Sequence, residues 1–224
     1  MIEIIENENR LIGSPQDIEA LSKKESARIL VLSDSHGNSE IFKNLVFHYG
    51  PGCDAIAFCG DGASDLAHLL EEAEISEELR SVIPPVIAYV QGNCDPSSYK
   101  ILPQKSNSNK MPAYQVLTAA GKNIYLCHGH NENVNFTLYP LTMRADAEYC
   151  KIALYGHTHL PYFTTEIEHN VKILNPGSCN RPRGNYPPSF AILTITPSVI
   201  DAAFIQIDQP YSHTPAFKLF NPVF

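Results

Sequence analysis

Ile152-Ala153-Leu154-Tyr155-Gly156-His157-Thr158-His159 is the stretch on which the fold turns. A short apolar run without alternation meets a glycine, and two histidines one residue apart follow, so a buried strand stops where two imidazoles can be aimed into one cleft. The pattern recurs four times upstream. Ile29-Leu30-Val31-Leu32 leads into Ser33-Asp34-Ser35-His36-Gly37, and Ala55-Ile56-Ala57-Phe58-Cys59 into Gly60-Asp61-Gly62. Val86-Ile87-Ala88-Tyr89-Val90 leads into Gln91-Gly92-Asn93-Cys94-Asp95, and Ile124-Tyr125-Leu126-Cys127 into His128-Gly129-His130. Strands this apolar read as parallel and covered on both faces, and open α/β sheets bind ligands beyond the carboxyl ends of their strands. One site assembled from five strand ends is therefore expected.

Between these strands the spacing predicts helices. Ile41, Phe42, Leu45 and Val46 form a stripe over 38–49 that Gly50-Pro51-Gly52 ends. A second helix is expected over 63–79, with an acidic solvated face, stopped before Pro84-Pro85, and a third over 137–150. Segment 96–121 is rich in Ser, Asn, Pro and Lys and reads as a loop beside the site, either a lid or plain surface, followed by an exposed strand over 113–117. Strands over 171–174, 190–196 and 199–207 finish the chain, the last two as a hairpin. A βαβαβ start with an antiparallel finish predicts two sheets packed together with helices outside. Residues 1–27, with Ser14-Pro15 capping a short helix to about Lys24, are expected to be a surface appendage or an oligomer contact. The expected organisation is an extension over 1–27 and one domain over 28–224.

Composition narrows the function classes. The 224 residues carry a formal charge of −8 with no Lys/Arg cluster, so a long nucleic acid is not an expected partner. The acidic start and the absence of a long apolar run predict a cytoplasmic protein without membrane association. Six scattered cysteines lack a Cys-x-x-Cys and predict reduced thiols, with Cys59 and Cys127 as small apolar strand residues.

The strand ends supply seven oxygen and nitrogen donors: Asp34, His36, Asp61, Asn93, His128, His157 and His159. Asp34 and His36, at i and i+2 of an extended segment, are expected to point to one side, and Gly60 and Gly92 to let backbone come close to Asp61 and Asn93. Imidazole, carboxylate and amide together suit Mn²⁺, Fe²⁺ or Zn²⁺ better than an all-oxygen Mg²⁺ or Ca²⁺ site. Seven donors exceed one mononuclear site, so two cations with a shared carboxylate are implied. His48, His68, His169 and His213 lack this context and are expected to be structural or superficial.

The ordered set Asp34-x-His36, Gly60-Asp61, Gly92-Asn93-x-Asp95, His128 and Gly156-His157-x-His159 resembles the calcineurin-like metallophosphoesterases. Within them it resembles the small prokaryotic phosphodiesterase branch, which also contains the retromer scaffold subunit. The resemblance covers residues 28–208 and implies a four-layer α/β/β/α sandwich, two mixed sheets flanked by helices. It further implies a first divalent metal on Asp34, His36, Asp61 and His159, and a second on Asn93, His128, His157 and the bridging Asp61. Mn²⁺ is the first expectation, with Fe²⁺, Zn²⁺ or Ni²⁺ as alternatives. One position departs from the wider pattern: Cys94 stands where many members have the histidine that acts as general acid.

The expected function is hydrolysis of a small phosphodiester, with a hydroxide between two metal ions attacking phosphorus in line. Asp61, Asn93, Asp95 and His130 are the expected catalytic residues, His130 as replacement acid, phosphate contact or support for a neighbouring ligand. Arg181 and Arg183 follow the Asn175-Pro176-Gly177-Ser178 turn and are either phosphate contacts or solvated loop residues. The alternatives are a phosphomonoesterase or nucleotidase, and a non-catalytic interaction scaffold on the same fold. A scaffold has no need of all seven donors. A homo-oligomer is compatible with the sequence.

Overall fold

A computed structural model describes residues 2–104, 107–210 and 215–223. In chain order α1 (Pro15–Lys23), β1 (Ala27–Leu32), α2 (Ser39–Tyr49), β2 (Ala55–Phe58), α3 (Ala63–Ile75), α4 (Glu77–Val82) and β3 (Val86–Tyr89) come first. A small hairpin, β4 (Ser98–Tyr99) and β5 (Asn109–Lys110), precedes β6 (Tyr114–Ala119) and β7 (Lys122–Cys127). The chain continues with α5 (Tyr139–Ala147), β8 (Ile152–Leu154), β9 (Pro161–Glu166), β10 (Val171–Pro176), β11 (Ser189–Ile195), β12 (Ile200–Asp208) and β13 (Ala216–Phe220).

Two mixed sheets result, ordered β13-β12-β11-β1-β2-β3 and β6-β7-β8-β10-β9. Each apolar strand divides its side chains between two layers. Ile29 and Val31 of β1, Ala55 and Ala57 of β2, and Val86 and Ala88 of β3 face Ile124, Leu126, Ile152, Leu154 and Leu174 of the other sheet. The intervening Leu30, Leu32, Ile56, Phe58, Ile87 and Tyr89 pack under Phe42, Leu45, Leu66 and Leu70 of α2 and α3. On the far side Tyr125, Ala153 and Ile173 lie against Leu141 and Ala145 of α5. The layers are α/β/β/α, as expected, because strands with apolar residues at every position must be covered on both faces. Parallel registers Leu32↔Phe58 and Phe58↔Tyr89 in one sheet, and Leu126↔Leu154 and Leu154↔Leu174 in the other, bring the carboxyl ends level.

The expected helix over 63–79 is two. Ser76 is extended and accepts from the Leu79 amide at 3.2 Å, capping α4 and ending α3. The helix expected over 137–150 is shorter, residues 139–147. Residues 2–27 are not an appendage. Ile2, Ile4, Leu11, Ile12 and Leu21 are buried, and Ile12 exchanges two backbone hydrogen bonds with Ile87 (2.9 and 2.8 Å), covering the free edge of β3. Gly13 makes the approach close: a Cβ there would meet the Pro85 carbonyl oxygen at 2.4 Å. The described residues of segment 96–121 are anchored rather than lid-like, since Ile101, Leu102 and Met111 are buried in the cluster under α3 and α4. The exposed strand expected over 113–117 is the edge strand β6, paired with β7 through a turn at Ala120-Gly121, both at positive φ. Among the described residues no helix is long and apolar enough to cross a membrane.

Candidate metal centre

The loops after β1, β2, β3, β7 and β8 converge at one end of the sandwich and bring all seven sequence-derived donors together. The backbone achieving this is not extended, as expected for Asp34 and His36, but left-handed. Five donors have positive φ: Asp34 56°, His36 47°, Asp61 58°, His157 65° and His159 60°. Each such non-glycine conformation costs roughly 1–3 kcal/mol and persists only where the surroundings over-determine it. Here the loops hold one another. Asp34 N donates to Gly60 O (3.0 Å), His36 N to Asp61 O (2.9 Å) and Gly156 N to His128 O (3.0 Å), while Ser178 Oγ donates to Asp34 O (2.8 Å).

Two glycines make room for the carboxylates. A Cβ on Gly92 would lie 2.0 Å from Asp61 Oδ1 and 2.3 Å from Asp61 N; one on Gly156 would lie 2.7 Å from Asp34 Oδ2. Gly92→Ala is therefore expected to displace Asp61 and weaken metal binding at least ~10-fold, as lesser disturbances around ligands do. Calorimetric metal titration of a folded variant checks this.

Around Asp34 the acceptors outnumber the protons. Asp34 is fully buried; its Oδ2 accepts from Ser33 Oγ (2.5 Å) and His157 N (3.1 Å), while Oδ1 has no hydrogen-bond partner. Oδ1 has His159 Nε2 at 3.1 Å and His36 Nε2 at 3.8 Å, and these two nitrogens stand 3.2 Å apart. His159 Nδ1 is hydrogen-bonded to the Arg181 carbonyl. That anchor must take a proton, so the neutral ring turns the lone pair of Nε2 toward Oδ1. With that ring neutral two lone pairs face each other, which a cation between them resolves, and the residues present fit one.

A second group adjoins the first. His128 Nε2 lies 3.5 Å from Asp61 Oδ2 and 3.1 Å from Asn93 Oδ1, which also lies 2.7 Å from His157 Nδ1. His128 Nδ1 is anchored on the Cys59 carbonyl at 2.7 Å. Asp61 Oδ1 accepts from the Cys94 amide (2.7 Å), while Oδ2 faces His128 on one side and His36, at 3.8 Å, on the other. Donor atoms of Asp34, His36 and His159 lie within 4.8 Å of one another, as do those of Asp34, Asp61 and His128. Burial pushes the Asp61 carboxyl up, but the hydrogen bond and charge of His128 and the Cys94 amide outweigh it and leave the pKa depressed. Burial likewise opposes charge on His128, which Asp61 reverses, raising its pKa. On His36 burial prevails over the nearby carboxylates, and its pKa is lowered.

Asp95 departs from its expected catalytic place. Its Oδ2 accepts from Asp61 N (2.8 Å) and Gly92 N (2.9 Å), and its Oδ1 from Gly62 N and Ala63 N (2.9 Å each). It clamps two strand-end loops and the start of α3. His130 stands beside the donors, its ring 5.4 Å from that of His128 and 6.2 Å from that of His157, with a buried Nδ1 lacking a hydrogen-bond partner. Cys94 is exposed, and desolvation beside Asp61 pushes its thiol up to about 11. Arg181 is near enough for its charge to oppose protonation of His36, and Arg183 lines a groove next to the centre. His48 and His68 are exposed and His169 sits in a surface turn against Glu166; His213 lies outside the described residues.

Two contributors were not anticipated. Asn175 Nδ2 donates to Gly156 O (2.8 Å) and Thr158 Oγ1 (3.0 Å), setting the turn that carries both histidines. It too ends an apolar strand, the signal that singled out the others. Asn135 Nδ2 lies 2.9 Å from His157 Nε2; it sits in a polar loop without any such mark.

The profile of the calcineurin-like phosphoesterase superfamily domain matches residues 28–198. Phosphodiesterase YfcE of Escherichia coli (strain K12) is 34% identical over 175 residues, covering 74% of this chain and 86% of that protein. Among solved structures, a predicted phosphoesterase from Streptococcus pneumoniae TIGR4 superposes with a TM-score of 0.61 at 26% identity, covering 88% of this chain and 99% of that one. Vacuolar Protein Sorting 29 from Cryptosporidium parvum shares the fold at a TM-score of 0.63 and 18% identity, with the same coverage.

Proposed function

We propose, from the premise that this chain belongs to the calcineurin-like phosphoesterase superfamily, that it hydrolyses phosphodiesters with two divalent cations. Asp34, His36, Asp61 and His159 would hold one, and Asn93, His128 and His157 the other, with Asp61 shared. The single observation carrying this reading is the buried Asp34 Oδ1, without a hydrogen-bond donor and 3.1 Å from an imidazole nitrogen whose ring is anchored through its other nitrogen. The hard carboxylate and amide oxygens of Asp34, Asp61 and Asn93 make Mn²⁺ the first choice, while the four imidazoles make Fe²⁺, Zn²⁺ or Ni²⁺ compatible and favoured on affinity order alone. When bound, such a pair would acidify water toward about pH 7 and neutralise charge on phosphoryl oxygens.

The protein's own groups fix the rest. The Cys59 and Arg181 carbonyls orient His128 and His159, and the Cys94 amide holds one oxygen of Asp61 so that the other is free to be shared. The relative named a phosphodiesterase supports a diester as substrate. The position at 94 supports it too. A thiol pushed up to about 11 stays protonated near neutrality but, unlike an imidazole, is poorly matched to a proton transfer there. Leaving groups that need no proton should be preferred.

The test is kcat/KM against leaving-group pKa for a series of phosphodiesters, with wild type and Cys94→His at equal metal content. Wild type should fall steeply as the leaving group worsens. Cys94→His should flatten that slope, gaining ~10²-fold or more on the poorest leaving groups, the usual worth of a placed general acid. Equal slopes would contradict the role given to this position, and failure to hydrolyse any diester would contradict the reading itself.

A further inference from the structure

Beside the metal centre lies a groove of about 340 Å³ whose walls are Val134, Leu138, Tyr155, Leu160, Tyr162 and Arg183. Two contacts tie it to the centre. Asn135, on its rim, reaches His157 Nε2 at 2.9 Å, and the Arg183 amide donates to the His159 carbonyl at 3.3 Å. The wall bearing Arg183 also rests on Leu160. Gly184, at φ +63°, has its missing Cβ position 2.7 Å from Leu160 Cδ2, so the loop turns there in direct contact with the groove floor. The groove therefore adjoins the turn that carries His157 and His159, where an ester arm of a phosphorus compound held by those histidines could enter it.

Resting on the phosphodiesterase reading, we infer that this groove binds a planar aromatic ester arm of the substrate, and that diesters carrying such an arm are preferred over those with small alkyl arms. The volume falls in the range of small-molecule sites, roughly 300–1,000 Å³, and exceeds what a methyl ester fills. The hydroxyls of a sugar would be set largely against Val134, Leu138 and Leu160, apolar groups that give no hydrogen bonds in return. The half-buried Tyr162 offers an aromatic wall, and the exposed Arg183 guanidinium offers a cation to lie over a ring face. Among the described residues none that lines the groove is acidic, so the Arg183 cation also complements an anionic diester.

Binding separates this inference from turnover. Zn²⁺-loaded protein with ¹³C-labelled Val and Leu methyl groups is titrated with phenyl-, cyclohexyl- and methylphosphonate. Phenylphosphonate should shift the methyl resonances of Val134, Leu138 and Leu160 and bind ~10-fold or more tightly than methylphosphonate, the worth of burying a ring. Cyclohexylphosphonate should fall between them. Leu138→Trp, which fills the groove, should remove the phenyl advantage while methylphosphonate binds as before. Arg183→Ala, an exposed change that leaves the core intact, should bring phenyl down to the cyclohexyl level. Absence of groove shifts with phenylphosphonate, or equal binding of phenyl and cyclohexyl arms, overturns the inference. Groove shifts in a protein that hydrolyses no diester would support the groove and sink the catalytic reading; hydrolysis without groove shifts would do the reverse.

Discussion

Asp61→Asn is expected to lower metal affinity by at least ~100-fold, more than any other single change among the donors, and to abolish measurable turnover with it. Changes one shell out typically cost 10–100-fold, and this carboxylate oxygen faces both halves of the centre, 3.5 Å from His128 and 3.8 Å from His36. Asparagine keeps the size and the oxygen that accepts from the Cys94 amide, so the fold should survive. It replaces the shared anionic oxygen with an amide nitrogen, which cannot ligate. His68→Ala, an exposed change on the neighbouring helix, should leave metal content and rate within twofold. Measured side by side at matched folding, similar behaviour of the two variants would show that Asp61 does not hold the ions.

Asp95→Ala should act first on stability, lowering it by about 3 kcal/mol or more, because four backbone amides lose their acceptor at once and each unsatisfied donor costs ~1–3 kcal/mol where it is shielded from water. Asp95→Asn should rescue little. Each oxygen accepts two amides, so either orientation of the new side chain sets an NH₂ group against two N–H donors. Thermal and urea unfolding compare the three proteins. A large loss of kcat with unchanged stability would restore the catalytic role that the sequence pattern implied.

The difference between those two aspartates shows where the sequence was readable. Asp61 and Asp95 both follow glycine-rich strand ends, and both looked chemical. Only the conformation of the loops decides that one carboxylate faces the cleft and the other is turned back onto four amides. The layered fold was legible because residues 29–32, 55–58, 86–89 and 152–154 are apolar at every position and must be covered twice. The burial of residues 2–27 was not, because Ile2, Ile4 and Ile12 are scattered among acids and show no period until the edge of β3 is there to receive them. β9 and β13 went unseen for a related reason: half-exposed strands at sheet edges, Pro161–Glu166 and Ala216–Phe220 carry mixed side chains. The apolar strand ends place the seven residues at one end of the sandwich, but the backbone there is not the extended one that the i, i+2 spacing of Asp34 and His36 suggested. Left-handed Asp34, His36, Asp61, His157 and His159 are a local conflict that only the surrounding loops can impose, which no residue pattern announces.

The central claim is that two cations share Asp61, and counting bound metal against protein tests it most directly. Apo-protein loaded with excess Mn²⁺ and freed of unbound ion should hold two ions per chain by elemental analysis, and Asp61→Asn should hold fewer than one. A wild-type stoichiometry fixed at one ion, whatever the Mn²⁺ concentration used for loading, would contradict the account.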